Sequence, residues 1–438
     1  MHRKQIDVSY FFCALVSDCA LDEEICGEVA MLEITKDNII AYMKEHMPEL
    51  DTSVPLTISM VGEGSQEEDG DGYVNYIFRV QSEKEAYVLK QGRPYGRMTG
   101  APMNMERNKL EYDAMKIFYA IAPEYVPFLK FHDEENCIFV MEDVSRLDVA
   151  RFQFNQNILF PYFGQQCGEY LAKTSFYTSE YYLSREDYAN LQHRFSNVQM
   201  RRVMEDGMFL ERFNMGSDLS LGKDFERLCD RISADEDYLT EIYKIRRSYM
   251  SHADALIHAD FHTSNLFASD EEMKVIDMEF AFMGPFGYDL GYLAGNLISQ
   301  YCAACFKPFD SEERRRIVKG YYLATIQTLY ETYFKDFASY WHQDVKDRYV
   351  GQEGLLRSIE RETFVDSIGY ASMVNWFRAA AAIEYPDFEV IKDVEAKRQA
   401  KTMSLMIDWQ IMFARYAYDS VDDLIDTILY IEKALKKL

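Results

Sequence analysis

Positive charge is what this sequence has least of for its size. Its 47 lysines and arginines stand against 73 aspartates and glutamates, a net charge of −26 over 438 residues. Nucleic acid and anionic membrane surfaces would repel such a chain, so neither is expected as a partner. ATP is not excluded, because lysine, arginine and Mg²⁺ can concentrate positive charge locally. Long apolar runs are also missing, and no stretch reaches the ~18–20 residues of a membrane span. The opening MHRKQIDVSYFFCALVSDCA has the basic-then-apolar order of a signal peptide, but Asp7 precedes the apolar run. LDEE stands where cleavage would fall, so secretion is not expected. The eight cysteines make no disulfide framework. Only Cys302 and Cys305 have CxxC spacing, without a second pair or nearby histidines to complete a zinc site. They read as small apolar residues on a helix, and a reducing cytoplasm is the expected compartment. Repeats, low-complexity segments and long linkers are absent.

What is present is a folded chain, 48% hydrophobic and 15% aromatic, long enough for two lobes. Residues 1–33 read as an extension. A helix is expected to open at Thr35 (TKDNIIAYMKEHM), followed by strands at 56–64, 73–81 and 86–91. The helix MERNKLEYDAMKIFYAIA and the strands VPFLKFHDE and CIFVMED complete a small lobe over 34–143 that would bind nucleotide. Helical spacing dominates 144–438, with helices expected at 240–252, 289–306, 311–340, 354–384 and 389–436. Only 256–283 is strand-like there. The fold class is therefore α+β and bilobal, the larger lobe carrying catalysis and acceptor binding.

The chemistry concentrates in IHADFHTSNLFASDEEMKVIDMEFAFMGPFGYD, residues 257–289. Asp260 sits in a turn, Asn265 follows, and a hairpin delivers Asp277 and Glu279. One carboxylate can orient an attacking hydroxyl while an amide and two carboxylates hold Mg²⁺, the set phosphoryl transfer requires. Upstream, Gly70 and Gly72 let backbone N–H groups approach phosphates, with Asn75 in the same turn a further nucleotide contact. Lys90, flanked by Val88 and Leu89 in a strand, is expected to pair with Glu111 on the following helix and position phosphates. Met141, Glu142 and Val144 end the small lobe, where backbone groups can meet an adenine ring. His258 and Asp289 are expected to brace the turn, Asp289 also as a helix cap. His258, Asp260 and His262 spell H-x-D-x-H, a second reading as a metal-dependent hydrolase, but no further ligand motif completes it. A third reading is a nucleotide-binding protein without catalysis.

These stretches resemble the methylthioribose kinase family, within the aminoglycoside phosphotransferase and choline kinase-like superfamily. DGYVNYIFRV is similar to the family's glycine loop, VLKQGRPYGR to its lysine strand and FVMEDV to its hinge. PMNMERNKLEYDAM and FGQQCGEYLAKTSFYTS resemble early helices of the two lobes. HADFHTSNLFAS and KVIDMEFAFMGPFGYDLG resemble its catalytic and metal loops, and the likeness runs from about residue 34 to the C-terminus. It implies a protein-kinase-like fold, ATP, Mg²⁺ and transfer to the 1-hydroxyl of methylthioribose. Asp260 would be the base, and Asp277 and Glu279 the metal carboxylates. Lys90 would be the phosphate lysine, and Met141 to Val144 the hinge. Departures are Ala259 for the family's glycine, Met278 for its proline, Asn265 for its frequent serine and Ala101 for its tryptophan. Val365 and Asp366 fall where the family carries two sugar-binding arginines. The resemblance therefore implies intact chemistry with an altered acceptor pocket, for another pentose, amino sugar or alcohol, unless Arg361, Arg378 or Arg97 compensates. Whether the chain forms a homodimer is left open.

Overall fold

The computed structural model describes residues 31–61, 75–97, 100, 102–210, 219–380 and 385–435. The glycines of the phosphate-loop expectation, Gly70 and Gly72, lie outside the described residues, as does Ala101. Five strands form the first unit of structure: β1 (Thr57–Met60), β2 (Tyr76–Gln81), β3 (Ala86–Gln91), β4 (Leu129–Asp133) and β5 (Ile138–Glu142). They pair antiparallel in the order β1-β2-β3-β5-β4. Two helices flank the sheet, α1 (Ile39–His46) and α2 (Glu106–Ile121).

Period-two alternation assigns each strand residue a face. Phe78, Val80, Tyr87, Leu89, Ile138 and Val140 pack with Ile39, Tyr42 and Met43 of α1. Val88, Phe139 and Met141 face the other way and join Ala114, Met115 and Phe118 of α2 in the main core. Lys90 shares the face of Val88, which sends its side chain towards α2. The expected helix start at Thr35 falls four residues early. Asn38 Oδ1 accepts the Thr35 N–H at 2.7 Å and closes a turn ahead of Ile39, a local bond that competes with helix.

Helices make up most of the remainder: α3 (Phe163–Tyr177), α4 (Glu236–Ser251), α5 (Gly287–Phe306), α6 (Glu312–Asp344), α7 (Glu353–Ala380), α8 (Val394–Ala414) and α9 (Val421–Leu435). The single helical stretch expected over 389–436 is divided. Before α9, Asp423 Oδ2 accepts the N–H groups of Asp419 at 2.7 Å and Ser420 at 3.1 Å, so the chain turns between α8 and α9. Among the described residues no helix is long and apolar enough to cross a membrane.

Every residue of α5 from Gly287 to Cys305 is buried, including Cys302, as expected of a helix apolar on all sides. Its seam with α7 is made by glycine. A Cβ at Gly287 would stand 2.7 Å from Thr363 O, and one at Gly295 2.7 Å from Ala371 O. At Gly291 it would strike Ser367 O and approach Tyr370 Cβ to 2.7 Å. The helices thus touch backbone to backbone, which fixes α5 rigidly beneath the strand-rich passage. That passage holds four short strands, β7 (Ala255–Ile257), β8 (Leu266–Ala268), β9 (Met273–Val275) and β10 (Phe282–Gly284). β8 and β9 form the expected hairpin, extended by β6 (Asp148–Val149), while β7 pairs with β10.

Candidate active site

The turn between β7 and β8 carries Asp260. Ala259 adopts φ 65°, the left-handed region that favours glycine and costs an ordinary residue roughly 1–2 kcal/mol. Two strong bonds offset this: Asp289 accepts the N–H of His258 at 2.7 Å and of Ala259 at 2.9 Å. Burial pushes Asp289 up to about 7, against those two bonds. His258 is fully engaged by backbone, its Nε2 lying 2.9 Å from Ile276 O and its Nδ1 accepting the Asp260 N–H at 3.2 Å. Burial holds it below the ordinary histidine range. With both nitrogens committed to backbone, His258 cannot join Asp260 and His262 on a metal, and the H-x-D-x-H hydrolase reading loses a ligand.

Asp260 keeps a partly exposed carboxylate. His262 Nε2 lies 3.3 Å from its Oδ2, and Asn265 Nδ2 donates to the same oxygen at 3.4 Å and to Asp260 O at 3.1 Å. Burial alone would raise this carboxyl, but the neighbouring His262 and His258, with Tyr292, outweigh it and hold it below the usual range. It is ionised at neutral pH and can accept a proton bond from an incoming hydroxyl.

A second group gathers where the sheet meets this turn. Lys90 Nζ lies 2.7 Å from Glu111 Oε1 and also contacts Asp277. Glu111, Asp277 and Glu279 present carboxylate oxygens within 4.8 Å of one another. Asp277 takes φ 66°, a conformation Asp tolerates better than most residues, which aims its side chain back at Lys90. Arg107 Nε stands 3.5 Å from Glu279 Oε2, and Asn75 Nδ2 donates to that oxygen at 2.9 Å. Three carboxylates around Lys90 and Arg107 leave one negative charge uncompensated. Accordingly burial, with Asp277 and Glu279, pushes Glu111 up to about 8 despite Lys90. Burial would lower the Lys90 ammonium, but Asp277, Glu111 and Glu279 overcome it and raise it. A cluster of oxygens short of one positive charge suits a hard divalent cation such as Mg²⁺.

Not every expected residue stands where the sequence suggested. Asn265 donates its side-chain N–H to Asp260, and Glu111, expected only as the partner of Lys90, stands beside Asp277 and Glu279. Asn75 is not free for nucleotide, since its Oδ1 accepts from Arg107 Nη2 at 3.0 Å while its amide holds Glu279. Met141 and Glu142 end β5, and Met141 and Val144 are buried. Glu142 turns outward to Arg146 at 2.8 Å, leaving only backbone for a ring to meet. Asp366 accepts from Ser248 Oγ at 2.5 Å in a small cavity of about 50 Å³ with His252, Asp254 and Glu362. Arg378 is buried and ion-paired with Asp387. Arg361 is spent on backbone, donating to Tyr416 O at 2.7 Å. Arg107 and Tyr292 went unread in the sequence. The available signals were spacing alone: Arg107 is four residues before Glu111, and Tyr292 three after Asp289.

Comparison with known proteins agrees with this geometry. The family model described as "Phosphotransferase enzyme family" matches residues 65–331. A methylthioribose kinase of Geobacillus sp. (strain WCH70) is 31% identical over 379 residues, covering 85% of this chain and 92% of the relative. The methylthioribose kinase of Geobacillus thermodenitrificans (strain NG80-2) is 32% identical over 366 residues, covering 81% and 88%. Among solved structures, choline kinase from Cryptosporidium parvum Iowa II overlays 86% of this chain and 98% of its own at 13% identity and a TM-score of 0.45. With more than half its length matched and relatives above 30% identity along most of it, the chain belongs to the methylthioribose kinase family of phosphotransferases.

Proposed function

We propose that this chain transfers the γ-phosphoryl group of ATP to the 1-hydroxyl of methylthioribose. The observation that carries the reading is the pair of groups that flank the β8–β9 hairpin: an ionised, partly exposed Asp260 before it, and after it a buried carboxylate cluster organised by Lys90. The acceptor hydroxyl oxygen attacks the γ-phosphorus, the bond to the β-phosphate oxygen breaks, ADP leaves, and the hydroxyl proton passes to Asp260. Lys90, fixed by Glu111, orients the phosphates, and the turn residues hold Asp260 at the attacking oxygen. Asp277 and Glu279, with Glu111 beside them, would hold Mg²⁺, which neutralises charge on the phosphates. The small lobe would bind adenine through backbone at Met141 to Val144.

The bond from Ser248 to Asp366 supports an acceptor site built at Asp260 without that carboxylate. Steady-state kinetics with purified protein, ATP and Mg²⁺ test the proposal over methylthioribose, other pentoses, choline and aminoglycosides. Methylthioribose is expected to have the highest kcat/KM, and Asp260→Asn to lower turnover by roughly 10²–10⁴ with ATP affinity retained. A clear preference for another acceptor, or an Asp260→Asn enzyme within a few-fold of wild type, would overturn it.

A further inference from the structure

Both carboxylates expected to hold the divalent cation already face a cation of this chain. Lys90 Nζ contacts Asp277 and lies 2.7 Å from Glu111 Oε1, while Arg107 Nε stands 3.5 Å from Glu279 Oε2. The two cations differ in how they are held. Lys90 is expected to turn to the nucleotide phosphates. Arg107 is fixed by neutral acceptors: Nη1 donates to Asn104 O at 3.0 Å, and Nη2 to Asn75 Oδ1 at 3.0 Å and to Arg93 O at 3.5 Å. Glu279 is therefore the partner that answers its charge, and Asn75 closes the triangle by donating to the same Glu279 oxygen at 2.9 Å. Arg107 is 1% exposed and sits in the first turn of α2, where the helix dipole disfavours a cation. Burying a cation at that end costs stability, and what it supplies is a fixed positive charge beside Glu279.

We propose that Arg107 is a positioning residue that acts through Glu279 as a standing counter-charge, keeping the divalent-cation site weak until nucleotide is bound. The inference rests on Glu111, Asp277 and Glu279 forming that site. Without nucleotide, three carboxylates facing Lys90 and Arg107 offer a divalent cation a single net negative charge. The phosphates add several more, so the site becomes attractive to the cation with nucleotide in place and not ahead of it. With a neutral residue at 107, the nucleotide-free site would carry two uncompensated charges and hold a cation by itself.

The test measures Mn²⁺ binding to the nucleotide-free protein by electron paramagnetic resonance. It compares wild type, Arg107→Gln, Arg107→Lys, Asn75→Asp and the double variant Arg107→Gln with Glu279→Gln. Arg107→Gln is expected to tighten Mn²⁺ binding at least about tenfold, because one more unit of charge then faces the ion in a buried site. Arg107→Lys keeps the charge and should stay within about twofold of wild type. The double variant should lose the gain, since the carboxylate through which Arg107 acts is gone. Asn75→Asp adds one negative charge beside Glu279 without altering α2, and is expected to tighten binding likewise, so it carries the test where Arg107→Gln does not fold. Unchanged Mn²⁺ affinity in Arg107→Gln, or in Asn75→Asp where that variant alone folds, would overturn the inference. So would equal tightening in Arg107→Lys, which would trace the effect to shape and not to charge. Failure of the cation site itself reads out separately: the Mn²⁺ dependence of AMP-PNP affinity would then survive Asp277→Asn and Glu279→Gln, and this inference would fall with the site.

Discussion

The guanidinium of Arg107 on α2 lies 3.5 Å from the carboxylate of Glu279 beyond β9, with both side chains buried and Asn75 bonded to each. This contact ties the sheet-bearing part of the chain to the strand-rich passage next to Asp277. Arg107→Met would leave Glu279 buried with Asn75 as its remaining neutral partner. Breaking one side of a buried pair typically costs about 3–5 kcal/mol. Urea denaturation should show that loss, and the double variant Arg107→Met with Glu279→Gln should recover part of it. A cost below about 1 kcal/mol for the single variant would mean the pair does not join the two parts.

Asp289 gives a pH dependence with a definite sign. Burial pushes its folded carboxyl up to about 7, whereas an aspartate in the unfolded chain titrates near ~3.9. The stability it contributes is complete below the unfolded value and is lost as pH rises through the folded one. Between about pH 4 and 7 the folded state holds a proton that the unfolded state has released, so stability falls by up to about 1.4 kcal/mol per pH unit from this group. Asp289→Asn should flatten that slope. An identical pH profile of stability in the two proteins would show that Asp289 is ionised throughout.

Gly291→Ala tests the seam. The added methyl meets Ser367 O, a backbone atom that cannot rotate aside, so α5 and α7 must separate. Overpacking of this kind costs ~1–3 kcal/mol. Because α5 carries Asp289, which holds the backbone of the Asp260 turn, kcat should fall with stability. Unchanged melting and turnover would show that the helices can part freely.

Asp366→Asn separates the sequence expectation from the observed geometry. Asp366 is bonded to Ser248 and lines a small cavity with His252, Asp254 and Glu362. KM for methylthioribose should therefore stay within about twofold of wild type, less than the ~tenfold that one lost charged hydrogen bond to the sugar would produce. A larger rise would restore Asp366 to the acceptor site.

Local pattern was enough to read much of this chain. Alternation in AYVLKQ places Lys90 on the face of Val88, and helical spacing places Glu111 beside Met115 and Phe118 on the face turned to it. The order Asp260, Asn265, Asp277, Glu279 identifies phosphoryl-transfer chemistry, and α5 is recognisable from its apolar run. These signals are short-range because strand and helix periodicities act over a few residues. What only the tertiary structure decided is which partners those side chains take. Asn75, Arg107 and Glu279 come together from three separated segments, and nothing in any one of them names the other two. The same holds for Asp366 of α7 at Ser248 of α4. Each joins residues far apart in the chain, which only the packing of the elements brings together. The sequence by itself thus determined the elements and the reaction class, while packing determined the charge balance of the cluster and which residues surround Asp260.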